Sequence, residues 1–435
     1  MTAGAGAVPR VVAGPREIRA WCLYDFANSA FTTLVVTFLY ATYFTQGMVG
    51  DEVRGTRLWS WGVSGSFLVV ALLSPVIGAR ADAAGRRRPL VSLSLVCIAC
   101  TAALAFVPPP HWGIALVLFG IANFAYETSG AIYNAYLPDL AAGDRIGRLS
   151  GYGWGLGYAG GLASLVLGLT LTGLPDGAGG WYLRPWLSTE AGWNLRATNL
   201  LVAAWFALFA LPAFLRLRDR GSGRTARATA PFREVANTLR HLGRYRETGR
   251  FLVARLVYND GLVTVFSFGG IYAAGTLGMS FGGIMLLGIW LNVVAGIGAA
   301  TLGHLDDRLG GKTTVVLTLV VLIAGTLLGA TATSRAVFWC AATAIGLMVG
   351  PNQAASRSLM GRFSPQAHRA EFFGFFALSG KLTAFLGPLV LGLITGWTGS
   401  QRWGMASVAA FLAVGLLLLA GLDEERAARE AAAVP

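Results

Sequence analysis

The chain has 435 residues, of which 55% are hydrophobic and only 13% charged; soluble domains carry about 25% charge, so a soluble globule and a disordered chain are both excluded. The formal charge is +13, but most of the excess lies in short loops between apolar runs, which marks membrane topology rather than a nucleic-acid partner. Four cysteines, Cys22, Cys97, Cys100 and Cys340, lie within or beside apolar runs, and the Cys97–Cys100 CxxC has no second ligand pair, so it reads as buried small hydrophobes rather than a metal or redox site.

Twelve candidate spans follow in chain order: residues 22–46, 59–79, 90–108, 112–133, 150–174, 196–215, 251–273, 282–303, 313–332, 336–356, 372–395 and 404–421. Each approaches the ~20 apolar residues that a membrane helix needs. The first run is retained rather than cleaved as a signal, because Met1–Arg10 holds no strong charge cluster and Asp25 and Asn28 interrupt the apolar stretch. Gly153, Gly157 and Gly161 repeat at GxxxG spacing in span 5. That is a close-packing face, and such a face can belong to a moving interface.

Charge in the even-numbered loops sets the orientation. Loop 2–3 carries Arg80, Arg86, Arg87 and Arg88, loop 8–9 Arg308 and Lys312, and loop 10–11 Arg357, Arg362 and Arg369. Loop 6–7 carries ten arginines between Arg216 and Arg250. The opposite loops are poorer in base, so both termini are expected in the cytoplasm of a multi-pass plasma or inner membrane protein. Loop 6–7 also divides the chain into an N-terminal bundle (1–215), a cytoplasmic linker (216–250) and a C-terminal bundle (251–435). Phe232, Val235, Leu239 and Leu242 give the linker a surface amphipathic helix over 232–250, with its arginines at lipid headgroups.

An internal repeat supports two halves. The loop after span 2 reads Gly78-x3-Asp82-x2-Gly85-Arg86-Arg87; the loop after span 8 reads Gly303-x3-Asp307-Arg308-x-Gly310-Gly311-Lys312. These are not phosphate loops, since they lack GxxxxGK[ST] and join two helices rather than a strand and a helix. A tight turn of this kind places Asp82, Arg86, Asp307 and Arg308 beside neighbouring helix ends, where they can form a conformational latch. Tyr24-Asp25 in span 1 is echoed by Tyr258-Asn259-Asp260 in span 7.

Charges at membrane depth are costly and therefore line cavities or pair. Asp25, Asn28 and Ser29 share one face of span 1. Asp25 can bind a cation, relay a proton or pair with a base; the structural alternative is a cap near the helix end. Span 4 brings Asn123, Tyr126 and Glu127, the last being the most deeply placed carboxylate and hence a candidate proton carrier. In span 7, Arg255 can bond Asn259 locally or pair with Asp25 across the halves as a gate, and Tyr258 and Asp260 lie beside them. Lys381, central in span 11, can hold a substrate carboxylate, neutralise Glu127, or snorkel. Asn292, Asn352 and Gln353 serve equally well as interhelical glue. No HExxH, GxSxG or paired metal cluster occurs, and the four histidines lie near loops; no enzyme, cofactor or metal is expected.

Together these residues carry a resemblance. The two Gly-x3-Asp-x2-Gly loops look like the signature loop of the major facilitator superfamily. Tyr24-Asp25-Phe26-Ala27-Asn28-Ser29-Ala30-Phe31, Tyr133-Asn134-Ala135-Tyr136-Leu137-Pro138-Asp139, Tyr258-Asn259-Asp260-Gly261 and Phe268-Gly269-Gly270-Ile271-Tyr272-Ala273 resemble motifs of the vacuole amino-acid effluxer-like family. The resemblance implies an all-α polytopic membrane protein of major facilitator fold, with twelve transmembrane helices in two six-helix bundles. It also implies a secondary transporter working by alternating access, with a cavity bordered by spans 1, 4, 7 and 10. Fungal members are linked to export of leucine, isoleucine and tyrosine. The expectation is a monomeric transporter of small solutes, with amino-acid efflux as the leading substrate class and a proton gradient as the driver. Drugs, peptides or sugars as solutes, or a non-transporting membrane sensor, are the alternatives.

Overall fold

The computed structural model describes residues 13–141, 145–175, 180–219, 245–279, 281–384 and 386–433. Nearly all of them are helical, as hydrocarbon demands: every peptide group must bond within its own segment. Span 1 runs Pro15–Met48, α-helical over Pro15–Ala30 and Leu39–Tyr43 but π-helical over Phe31–Phe38 and Phe44–Met48. Two wide-turn segments thus interrupt span 1, the first over a stretch rich in β-branched residues, Thr32 to Thr37. Spans 2 to 6 are Glu52–Ala84, Arg87–Leu104, Trp112–Asn134, Ile146–Thr172 and Trp193–Arg216. Spans 7 to 10 are Arg246–Leu277, Phe281–Leu309, Gly311–Thr331 and Arg335–Phe363. Span 12 is Gln401–Ala420, and a short terminal helix, Glu424–Ala432, follows it. A small hairpin pairs Leu174–Pro175 with Trp181–Leu183 between spans 5 and 6.

Span 11 departs from the continuous 372–395 segment expected from hydropathy. It is two helices, Arg369–Ser379 and Leu386–Thr398, separated by turns around Gly380–Ala384. Pro388 has no N–H to give and its ring would crowd the carbonyl of residue 384 in a continuous helix, and a restart at Leu386 removes both costs. Most of the run is apolar, which in a hydropathy reading outweighs Gly380, Lys381, Thr383 and Gly387.

Spans 1–6 pack as one bundle and spans 7–12 as a second, and the two meet where span 2 packs on span 11 and span 5 on span 8. Glycine sets these distances. A side chain at Gly78 would collide with the carbonyl of Ala370, and one at Gly151 with the carbonyl of Ala299. Apolar side chains such as Leu72, Ile114, Val166, Leu208 and Leu417 remain exposed around the outside, as a lipid-facing belt requires. The amphipathic helix expected over 232–250 falls mostly outside the described residues. Where description resumes, at Tyr245, the chain enters span 7 at once, so Arg246 belongs to the span rather than to a linker.

Candidate functional site

Both signature loops emerge on one face of the molecule, here called the loop face. In the first, Gly85 takes φ +102°, a conformation that side-chain-bearing residues rarely adopt. The turn frees the Asp82 carboxylate, which accepts the N–H of Glu371 (3.0 Å) at the start of span 11, in the other bundle. Gly310 makes the same turn at φ +87°. Asp307 accepts the N–H groups of Gly147 (2.8 Å) and Arg148 (3.1 Å) at the start of span 5, again across the bundles. Each latch is therefore a carboxylate capping the opposite bundle's helix, with the helix dipole favouring the negative charge.

The basic members of the two loops behave differently. Arg86 donates to Asp82 (2.8 Å) and to Asp139 (2.8 Å), and Asp139 also pairs with Arg369 of span 11. Burial would lower the Arg86 pKa, but the Asp82 and Asp139 carboxylates more than offset it and hold it above the ordinary guanidinium value. In the second loop Arg308 is exposed, contrary to its expected latch role. Arg362 from the end of span 10 replaces it, pairing with Asp306 (2.8 Å) and Glu424 (3.3 Å). Two further carboxylates close the turns: Asp219 accepts the N–H groups of Arg86 and Arg87, and Glu424 those of Gly311 and Lys312.

Deeper from this face lies an ion pair that sequence reasoning missed. Arg357 Nη1 donates to Asp25 Oδ2 at 2.8 Å, linking span 10 to span 1. The same guanidinium donates to Ser150 Oγ (2.9 Å), the Ser150 carbonyl (2.6 Å) and Asn134 Oδ1 (3.2 Å), and stacks over Trp21. The gate expected between Arg255 and Asp25 is thus replaced by Arg357–Asp25. Arg357 was assigned to loop 10–11, whereas span 10 runs on to Phe363. Its one sequence signal is that it stands four residues after Gln353, on a polar face that continues past the apolar run. Gly153, the first glycine of the GxxxG series, leaves room for this pair, and Gly157 and Gly161 face Ser29 and Thr33.

At mid-span the halves meet a second time. Lys381 Nζ lies 3.0 Å from Glu127 Oε1, joining span 11 to span 4, and sits 4.4 Å from the ring centroid of Phe67. The side chains keep 32% and 15% of their surface, so the pair is reachable rather than sealed. Lys381 belongs to the break in span 11, and span 7 supports that break. Asn259 Nδ2 donates to the Gly380 carbonyl (2.9 Å), and Asp260 Oδ2 accepts the Gly387 N–H (3.2 Å). Arg255 donates to the Phe376 carbonyl (2.7 Å) and Ser379 Oγ (2.9 Å), and Thr383 bonds the Leu256 carbonyl. The expected neutralisation of Glu127 by Lys381 is what the geometry contains. Arg255 bonds no Asn259 side chain; both turn to span 11, and Gln353 completes the row by donating to Asn259 Oδ1 (3.1 Å).

The remaining candidates disperse. Asn123 bonds Ser66 within the first bundle, Tyr126 packs on Phe31, and Tyr258 bonds Ser356. Asn28 is buried. Asn292 donates to the Gly288 carbonyl of its own helix and takes no part. An apolar crevice inside the second bundle, lined by Phe266, Leu287, Phe338 and Met405 among others, carries no charged group.

Comparison with known proteins matches this architecture. Residues 47–432 match the family model described as vacuole effluxer Atg22 like. The chain is 26% identical over 416 residues to YxiO, an uncharacterized MFS-type transporter of Bacillus subtilis (strain 168), covering 94% of this chain and 95% of that one. Autophagy-related protein 22 of Kluyveromyces lactis is 28% identical over 261 residues, 55% of this chain; the match spans only about half (53%) of that longer relative. Among solved structures, the fold superposes on the major facilitator transporter FucP in its outward conformation with a TM-score of 0.75 at 15% identity, covering 93% of this chain and 98% of that one. It superposes on the human organic anion transporter MFSD10 with a TM-score of 0.73 at 16% identity, covering 95% and 100%. The chain belongs to the vacuole effluxer Atg22-like family, built on the major facilitator fold of membrane transporters rather than enzymes.

Proposed function

We propose that this protein moves a small neutral amino acid across the cell membrane by alternating access, driven by protons, with export as the working direction. The observation that carries the proposal is the Glu127–Lys381 pair, which joins the two bundles at mid-span and stays reachable. An intramembrane ion pair between two rocking bodies must break and re-form as they move, and a proton on Glu127 is the least costly way to release it. The loop face supports the same cycle. Asp82, Asp307, Asp25–Arg357 and Asp139–Arg369 all bridge the bundles there, so the protein is held closed on that face. With the loop face in the cytoplasm, as the arginine distribution favours, the closed face is the inner one. We take the working unit to be a monomer, divided at the segment between spans 6 and 7.

The test is reconstitution of the full chain in proteoliposomes with labelled leucine, isoleucine and tyrosine, each with and without an imposed pH gradient. Saturable uptake that rises with the gradient is expected. Absence of amino-acid counterflow alongside transport of a sugar, peptide or drug would overturn the substrate class. Equal rates with and without the gradient would overturn the coupling.

A further inference from the structure

We infer that the break in span 11 is a carboxylate-binding subsite, in which Lys381 exchanges the carboxylate of Glu127 for that of the solute once Glu127 takes up a proton. The inference rests on the transporter reading above and adds which group of the solute is held, and by what. Three observations lead to it.

The first is charge. Arg255 bonds the start of the break at Phe376 and Ser379, Lys381 is part of it, and Glu127 is the carboxylate paired with Lys381. Among the described residues Arg255 has no carboxylate within ion-pair distance; a carbonyl, a hydroxyl and the Phe376 ring hold it. Asp260 is turned away to the Gly387 N–H. Arg255 thus has no direct counter-ion, since Glu127 pairs with Lys381 and Asp260 with backbone, and an anion entering the break can pair with a cation there.

The second is construction. Unwound backbone survives in a membrane only where protein satisfies it or a cavity receives it. Here Arg255, Asn259 and Asp260, all nearly fully buried, bond the break from one side, leaving Lys381 on the other. Arg255 Nε is buried with no partner, so the cationic wall keeps an unused donor.

The third is access. Lys381 keeps 32% of its side-chain surface, and its ammonium also meets the Phe67 ring of span 2 at 4.4 Å. The exchange balances: one proton from the aqueous side enters the Glu127 carboxylate, the Glu127–Lys381 bond breaks, and one solute carboxylate bonds Lys381. Among the described residues no second carboxylate pairs with Lys381. Span 11 presents Lys381 and span 7 Arg255, Asp25 of span 1 is held by Arg357, and Tyr126 is the neighbour of Glu127. Span 2 has no charged residue between Arg57 and Arg80, and span 3 none beyond Arg88.

Binding to the purified full chain tests this without a transport assay. The probes are acetate, benzoate and 4-methylpentanoate, each compared with its uncharged amide, read by thermal shift across a pH series. Carboxylates, and not amides, are expected to stabilise the protein, and wild-type binding should weaken as pH rises, by up to about tenfold per pH unit, since each anion needs one proton. Glu127→Gln should bind at all pH values without that slope, and Lys381→Met should not bind. If Lys381→Met does not fold, the Glu127→Gln/Lys381→Met pair, which removes both charges, takes its place. Equal shifts by acid and amide, no shift by any of the three carboxylates, or unaltered binding after loss of Lys381 would each overturn the subsite. Carboxylate binding with no counterflow in vesicles would instead defeat the transporter reading and leave the subsite standing.

Discussion

Single residues decide whether the closed face holds. Arg357 is almost wholly buried and makes four polar contacts, of which only the one to Asp25 is charge to charge. Asp25→Asn keeps the shape and removes that charge, at a cost of about 1.5–3 kcal/mol for a hydrogen bond to a charged group. Insertion and folding should survive, because Ser150 and Asn134 still hold the guanidinium. Turnover should fall, because the closed state then competes poorly. Expression with normal melting but slowed counterflow is the expected outcome, and full transport by the variant would remove Asp25 from the gate. Glu127→Gln makes the complementary prediction. It leaves Lys381 without a counter-charge in a half-exposed site, so folding should persist while the pH dependence of transport disappears; a retained gradient response would assign the proton to another group.

At the scale of elements, the contact between spans 2 and 11 depends on the missing side chain at Gly78, which lies against the carbonyl of Ala370. Gly78→Val should wedge the two helices apart at the loop face and release the Asp82 cap on Glu371. A cysteine placed at Ala370, buried against Gly78, should then react with maleimide several-fold faster than in the parent, after the native thiols are replaced; an unchanged rate would mean that the face stays shut. These loops were legible in the sequence, because a turn with positive φ at Gly85 or Gly310 needs glycine and a cap needs a carboxylate at fixed spacing. The Glu127–Lys381 pairing was legible too, since each charge is costly alone. Arg357 was not, because counting arginines treats a charge near the end of an apolar run as loop, while a helix can continue past the membrane interface. Nor was the break in span 11, whose flanks are mostly apolar; Gly380, Lys381 and the Gly387–Pro388 step mark it only weakly. Asp260 and Asn259 stood out as polar residues, but what they serve is backbone in a different span, and no periodicity within span 7 records that.

Across the whole molecule the two halves solve the same problem with opposite charges. The first loop supplies the base, Arg86, and the short helix Leu137–Leu140 after span 4 the acid, Asp139; the second loop supplies the acid, Asp306, and span 10 ends in the base, Arg362. Asp219 after span 6 and Glu424 after span 12 cap the corresponding turns. Everything that fastens the halves at the loops thus lies on one face, together with the helix that follows span 12. The direction of transport depends on which side of the membrane that face occupies. The arginine-rich loops favour the cytoplasm, because translocating clustered bases is disfavoured. A cysteine at Trp186, exposed on the opposite face, should react with an impermeant maleimide added to intact cells, in a background where Cys22, Cys97, Cys100 and the exposed Cys340 are replaced by serine. A cysteine at Ala433, beyond the terminal helix, should react only after the membrane is permeabilised. The reverse pattern would place the latches outside, and the closed face would then guard the outer entrance.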